Sequence, residues 1–226
     1  MFLTVVECFE PLNRGPVVVP LNLTSKVQDR ITEDTSEGVF TDLHFDEFKL
    51  VKRVSELYNL DYRLILAIMK QESSFNYAAQ SERGAMGLMQ LMPVTNAEIS
   101  DRLNLETSYL PKANIRVGIY YFASLMDLFS KYSPVDQLSL ALAAYNAGPM
   151  RIYDAQELAA YMGDSPGRWQ TIQNILPLLS KRYYTLHESV WPQGKPRSGY
   201  FGSWRQTVQY VDNVLSNYQY YKTALR

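Results

Sequence analysis

Cysteine, histidine and net charge are all scarce in this chain, and each shortage excludes a class of function. A single cysteine, Cys8, cannot close an intramolecular disulfide or build a multi-cysteine metal site. Two histidines, His44 and His187, lie far apart in sequence and argue against a histidine-rich metal centre or a Ser-His-Asp triad. A formal net charge of -1 supplies no basic field for nucleic acid, so the expected partner is neutral or of mixed charge. No apolar run approaches the ~18 residues of a membrane-spanning helix. The opening MFLTVVECFE has no basic flank and too short an apolar core for a secretory signal, and Glu7 before Cys8 argues against a lipoprotein site. Chemistry must then rest on carboxylates, amides, hydroxyls and tyrosines. No metal and no organic cofactor is expected.

What remains is a chain of 226 residues, 46% hydrophobic and 20% charged, as in ordinary soluble globular proteins. Residues 1–41 hold turn residues and a short VVV run without helical period, which predicts an extended N-terminal arm. Residues 42–226 predict one mainly α domain. Phe45, Phe48, Val51, Val54, Leu57 and Tyr58 recur at three- and four-residue spacing. Asp61 is placed to cap a second helix with the stripe Leu64, Ile65, Ile68, Met69. Further helices are expected from Pro93 to about Leu103, and over 114–132, 137–146, 155–161, 169–184 and 204–221. His187 reads as an isolated loop histidine.

One carboxylate stands out. Glu72 lies three residues beyond Met69 and four beyond Ile68, so it continues the apolar face of its helix. An apolar surround and the negative end of the helix dipole both raise a carboxyl pKa, as a general acid working near neutrality requires. The plain alternative is a surface glutamate at a fraying helix end. Against it stands the next segment, SSFNYAAQSERGAMGLMQLMP. Its small residues let the chain double back, and Gly84 and Gly87 allow positive φ or close backbone approach. Gly87, Met89 and Gln90 would then offer backbone amides, an adaptable apolar wall and a side-chain amide. Met86, Met89 and Met92 read as well as core filling, at least in part. Glu82, Glu98, Asp101 and Asp127 have polar or surface settings and read as solvated.

Three blocks in order carry a resemblance. Glu72-Ser73 with Phe75, Ala79, Ser81, Gly84-Ala85, Gly87-Leu88-Met89-Gln90, Met92-Pro93 and Thr95 form the first. Asn114, Gly118 and Tyr120 form the second, and Ala144-Tyr145-Asn146-Ala147-Gly148-Pro149 the third. Together they resemble the bacterial lytic transglycosylases of the lysozyme-like superfamily. Asp154-Ala155, GDSPGRW, LPLLSKRYY and Tyr210-Val211-Asp212-Asn213-Val214 are similar to the catalytic module of the F subfamily of membrane-bound murein transglycosylases. The resemblance spans roughly residues 42–222. It departs at SWRQTVQYV, where Gln206 stands in a position that relatives often fill with glutamate.

The resemblance implies a mainly α, lysozyme-like (goose-type) domain with a small irregular or β-hairpin element at the cleft. It implies cleavage of peptidoglycan glycan strands by Glu72 alone, acting first as acid and then as base, with 1,6-anhydromuramic ends as product. Ser81, Gly87, Met89, Gln90, Met92, Tyr145, Asn146 and Tyr210 are the expected substrate-binding residues. Ser81 also reads as a plain turn hydroxyl, Asn146 as a helix-ending residue and Tyr210 as a packed helix residue. A monomer in the bacterial envelope, on the periplasmic side, is implied, with envelope machinery as a further partner. The rival functions are a hydrolytic muramidase with a second carboxylate and a noncatalytic glycan-binding scaffold.

Overall fold

Four prolines mark where helices begin. Pro93, Pro111, Pro134 and Pro149 each occupy the first turn of a helix, where an amide hydrogen would find no intrahelical partner. The computed structural model describes residues 43–105 and 110–225, within a compact unit spanning Asp42–Arg226. Its helices are α1 (Phe45–Leu57), α2 (Tyr62–Ser73), α3 (Pro93–Arg102), α4 (Pro111–Leu128), α5 (Pro134–Ala147), α6 (Pro149–Tyr161), α7 (Trp169–Ile175), α8 (Tyr184–Val190) and α9 (Trp204–Ala224). The arm expected over 1–41, Cys8 included, lies outside the described residues.

The centre of the fold is α2. Leu64 through Met69 are all buried, so this helix is enclosed on every side rather than lying on a surface. Asp61 caps it as expected, its Oδ1 accepting from the Arg63 amide at 3.0 Å. The helix α9 packs most extensively against α2 and also against α5, while α4 rests on α1, α3 and α5. No regular strand occurs among the described residues. The segment after α2 makes only isolated antiparallel bridges, Gln80 with Met86 and Met86 with Leu91.

Helix ends depart from the sequence pattern for identifiable reasons. The helix α4 starts at Pro111 and stops at Leu128, short of Tyr132, where turns closed by Met126 and Phe129 carbonyls take over. Ser133 caps α5 through its hydroxyl, which accepts from the Asp136 amide at 3.2 Å, and moves the start forward to Pro134. The helix α6 begins at Pro149, directly after Gly148 with φ of 89°. The single helix expected over 169–184 is broken: Pro177 has no amide to donate, and α7 gives way to 3-10 turns at Leu176–Leu179 and Lys181–Tyr183. His187 is not in a loop. It lies fully buried in α8, with Nε2 2.7 Å from the Leu178 carbonyl and its ring against Trp191 and Tyr200.

Candidate active site

The last turn of α2 delivers Glu72, and the chain then reverses sharply. Ser74 and Phe75 both adopt positive φ, 50° and 65°, with Phe75 buried beneath the turn. The returning segment is tied back to α2 by Ser73, whose hydroxyl donates to the Leu88 carbonyl at 3.0 Å. Within the segment, the Gly87 amide donates to the Ala79 carbonyl, and Gln90 donates from Nε2 to the carbonyls of Ala79 and Gly87 at 3.0 and 2.9 Å.

A buried amide from α4 holds this segment from below. Asn114 is 1% exposed. Its Nδ2 donates to the Met86 carbonyl at 3.0 Å, and its Oδ1 accepts from the Met89 amide at 2.8 Å. Gly87, at φ of 80°, sits so close that a Cβ there would lie 2.7 Å from Asn114 Cγ. Met89 is fully buried and fills the space left by Gly118, whose Cβ would lie 2.6 Å from that of Met89. From α5, the Tyr145 hydroxyl donates to the Met89 carbonyl at 2.7 Å.

Glu72 meets its hydrogen-bond partner across the domain, from a helix far along the chain. Tyr210, on α9, donates its hydroxyl hydrogen to Glu72 Oε1 at 2.7 Å. Burial pushes the Glu72 carboxyl up to about 7, and the bond from Tyr210 draws it partly back. Burial, followed by the nearby Glu72 charge, holds the phenols of Tyr145 and Tyr210 well above their usual range. Both therefore stay protonated donors. One turn before Tyr210, Thr207 donates to Asn146 Oδ1 at 2.8 Å and fixes α5 to α9.

A groove of about 390 Å³ opens beside this pair. Gln71 from α2 and Asn146 from α5 face Arg205, Gln206, Gln209 and Asn213 of α9, with Tyr210 shared between the groove and Glu72. No carboxylate is among these lining residues, and none contributes to the shift at Glu72. Glu82, Asp101 and Asp127 are exposed.

The expected residues thus divide. Tyr210 is the hydrogen-bond partner of Glu72, and Asn146 is exposed at the groove. Tyr145 bonds the loop backbone rather than Glu72. Gly87 and Met89 lie inside the core, so the Met89 side chain forms no cleft wall. Ser81 accepts from the Ala85 amide at 2.9 Å, as a turn hydroxyl does, and Gln90 knits the loop together. Met92 precedes α3 and is 43% exposed. Sequence reasoning missed the anchoring roles of Asn114 and Ser73, the Thr207 link, and the groove faces of Gln71, Arg205, Gln209 and Asn213. Two signals existed: an asparagine on the apolar face Ile115, Gly118, Ile119, Phe122 of its helix, and the polar stripe 205, 209, 213 at four-residue spacing.

Known proteins resemble the chain in sequence and in fold. The membrane-bound lytic murein transglycosylase F of Desulfosudis oleivorans is 35% identical over 176 residues, covering 76% of this chain and 36% of that protein. Its namesake from Cellvibrio japonicus is 33% identical over 165 residues, 73% of this chain and 31% of the other. The chain therefore spans about a third of the length of these curated relatives. Among solved structures, an inactive glutamate-to-glutamine mutant of the lytic transglycosylase Slt from Pseudomonas aeruginosa superposes with TM-score 0.51 at 30% identity, over 78% of this chain and 24% of that one. The 70 kDa soluble lytic transglycosylase of Escherichia coli gives 0.53 at 26% identity, over 77% and 24%. The family model described as Transglycosylase SLT domain matches residues 49–164, and the chain belongs to that family.

Proposed function

We propose that the chain is a peptidoglycan lytic transglycosylase acting on glycan strands in the bacterial envelope, on the periplasmic side, with Glu72 as its single acid and base. The observation that carries this reading is a carboxyl pushed up to about 7, held by Tyr210, beside a groove with no carboxylate in its lining. Two-carboxylate hydrolysis places its acids ~5–5.5 or ~6.5–9.5 Å apart, and no lining residue supplies the second. A group titrating near neutrality can give up and recover the same proton within one turnover.

In the proposed cycle, protonated Glu72 donates to the glycosidic oxygen as the bond from C1 of N-acetylmuramic acid breaks. The sugar's own acetamido oxygen stabilises the charge at C1. Carboxylate Glu72 then takes the proton from the C6 hydroxyl, whose oxygen bonds C1 and closes a 1,6-anhydro ring. The acid is restored and no water is consumed. Tyr210 orients the carboxyl in both protonation states, and the groove amides offer donors and acceptors to sugar or peptide. Tyr145, Asn114 and Ser73 act by holding the loop. We assign Asn146 and Tyr210 to substrate contact, with Ser81, Gly87, Met89, Gln90 and Met92 shaping the site or its edge.

The related inactive Slt structure, a glutamate-to-glutamine mutant, accords with this role for Glu72. No described helix is long and apolar enough to cross a membrane. A monomer suffices for the site, since all its groups come from one chain; envelope machinery is a further partner in this reading. The test is mass spectrometry of purified peptidoglycan digested by wild type and by Glu72→Gln. Anhydromuramic ends from the wild type alone are expected. Reducing ends would replace the reading with a hydrolase, and intact peptidoglycan with a binding scaffold.

A further inference from the structure

The groove beside Glu72 has an unbalanced charge. Gln71, Asn146, Gln206, Gln209 and Asn213 contribute neutral amides, while Arg205 contributes a cation. Arg205 is exposed and its guanidinium lies over the Trp204 ring, 4.4 Å from the centroid. Among the described residues it has no ion-pair partner within 4.0 Å. The surroundings do not compensate: α9 has no acidic residue in its first turn, and Ser203 ahead of it supplies no side-chain cap. The positive end of a 21-residue helix therefore adds to the field of Arg205 rather than opposing it.

Stacking on Trp204 limits the guanidinium's freedom and leaves its planar edge for a partner. A planar fork of donors matches a carboxylate, which it can engage through two parallel hydrogen bonds. The amides around it are suited to the neutral hydroxyls and peptide groups that would flank such a carboxylate.

We propose that this groove takes a carboxylate-bearing substituent of the glycan strand and that Arg205 selects it, an inference that rests on the glycan reading above. Two sources have this chemistry in peptidoglycan: carboxylates of the stem peptide, and the lactyl carboxylate exposed when the stem is absent. Selection acts on the substituent and leaves the bond-breaking at C1 to Glu72.

The experiment compares kcat/KM on three soluble glycan preparations: strands with free stem carboxylates, the same strands with those carboxylates amidated, and strands stripped of stems. Wild type, Arg205→Ala, Arg205→Lys and Gln206→Glu are measured on each. Wild type is expected to favour a carboxylate-bearing strand over the amidated one by about five- to tenfold, mainly through KM. Preference for the first preparation identifies the stem as source, and preference for the third identifies the lactyl group. Arg205→Ala should bring the ratio close to one, Arg205→Lys should retain part of it, and Gln206→Glu should reduce it by placing a negative charge beside the arginine. Equal rates for wild type on all preparations, or an unchanged ratio in Arg205→Ala, overturn the inference while leaving the transglycosylase reading intact. Should Arg205→Ala fail to fold, the Lys and Glu variants decide by the same ratio. Absence of cleavage on every preparation removes the functional reading and this inference with it.

Discussion

Tyr210 donates its hydroxyl hydrogen to Oε1 of Glu72 at 2.7 Å, joining the second turn of α9 to the last turn of α2. This bond favours the charged carboxylate and so opposes the burial that raises its pKa. Tyr210→Phe keeps the ring and removes only the donor. Its kinetic pKa for Glu72 should lie above that of the wild type, and kcat/KM near pH 7 should fall on the order of tenfold. A pH–rate profile checks both. An unshifted profile with a lower plateau would reduce Tyr210 to packing.

Glu72 should also cost stability at alkaline pH. Its folded pKa, about 7, exceeds the ordinary carboxylate value of 4.5, so the folded state binds the extra proton in between. Stability therefore falls as pH rises from about 4.5 through 7. Glu72→Gln removes that penalty. Relative to wild type its melting temperature should be nearly unchanged at pH 4.5 and higher at pH 8. Discounted for partial exposure, the gain is roughly 1–2 kcal/mol, or about 2–8 °C. Thermal denaturation at the two pH values reads it directly, and equal shifts at both would contradict the pKa assignment.

Asn114→Ala should act through the loop backbone. It strips the acceptor from the Met89 amide and one of two donors from the Met86 carbonyl, which keeps the Leu91 amide at 3.1 Å. Leaving the Met89 amide unsatisfied costs about 1–3 kcal/mol. Denaturant unfolding should show this as a lower midpoint with unchanged slope. Activity should fall further than stability alone explains, since the same loop carries the Tyr145 anchor.

Gly118→Ala tests the fit of α4 against that loop. The added Cβ would lie 2.6 Å from Met89 Cβ and 2.7 Å from its Cγ, so backbone or side chain must shift. Overpacking of this kind costs roughly 1–3 kcal/mol. Pairing the change with Met89→Ala should recover part of the loss, giving a non-zero coupling in a double-mutant cycle. Strict additivity would mean that the two residues do not share this contact.

Much of the fold was legible because burial writes a period into sequence. The stripe from Leu64 to Met69, the Asp61 cap and the apolar run after Asn114 all led to real helices. The ends were less legible, since Ser133-Pro134 and Gly148-Pro149 start helices through local chemistry that apolar spacing does not register. Pro177 ends a helix that the apolar spacing alone would continue. His187 shows a different limit: a buried histidine bonded through Nε2 to the Leu178 carbonyl looks, in one dimension, like any loop histidine. At the candidate site, Glu72 stands out in sequence by its place on an apolar face. Its partner Tyr210 lies 138 residues away, and no local pattern pairs the two. Gly87 and Met89 admit two readings in sequence, facing a ligand or close packing and core filling, and their packing on Asn114 and Gly118 accounts for the second.

The tie between α2 and α9 bears on how small the working unit can be made. The family match ends at residue 164, yet Tyr210, Thr207 and most of the groove lie beyond it. A fragment trimmed to the matched segment would keep Glu72 and lose both the hydroxyl bonded to it and part of the enclosure that raises its pKa. Its glutamate would revert to an ordinary surface carboxylate, ionised at neutral pH and without a proton to give. The end of the family-model match and the end of the candidate site are different places in this chain.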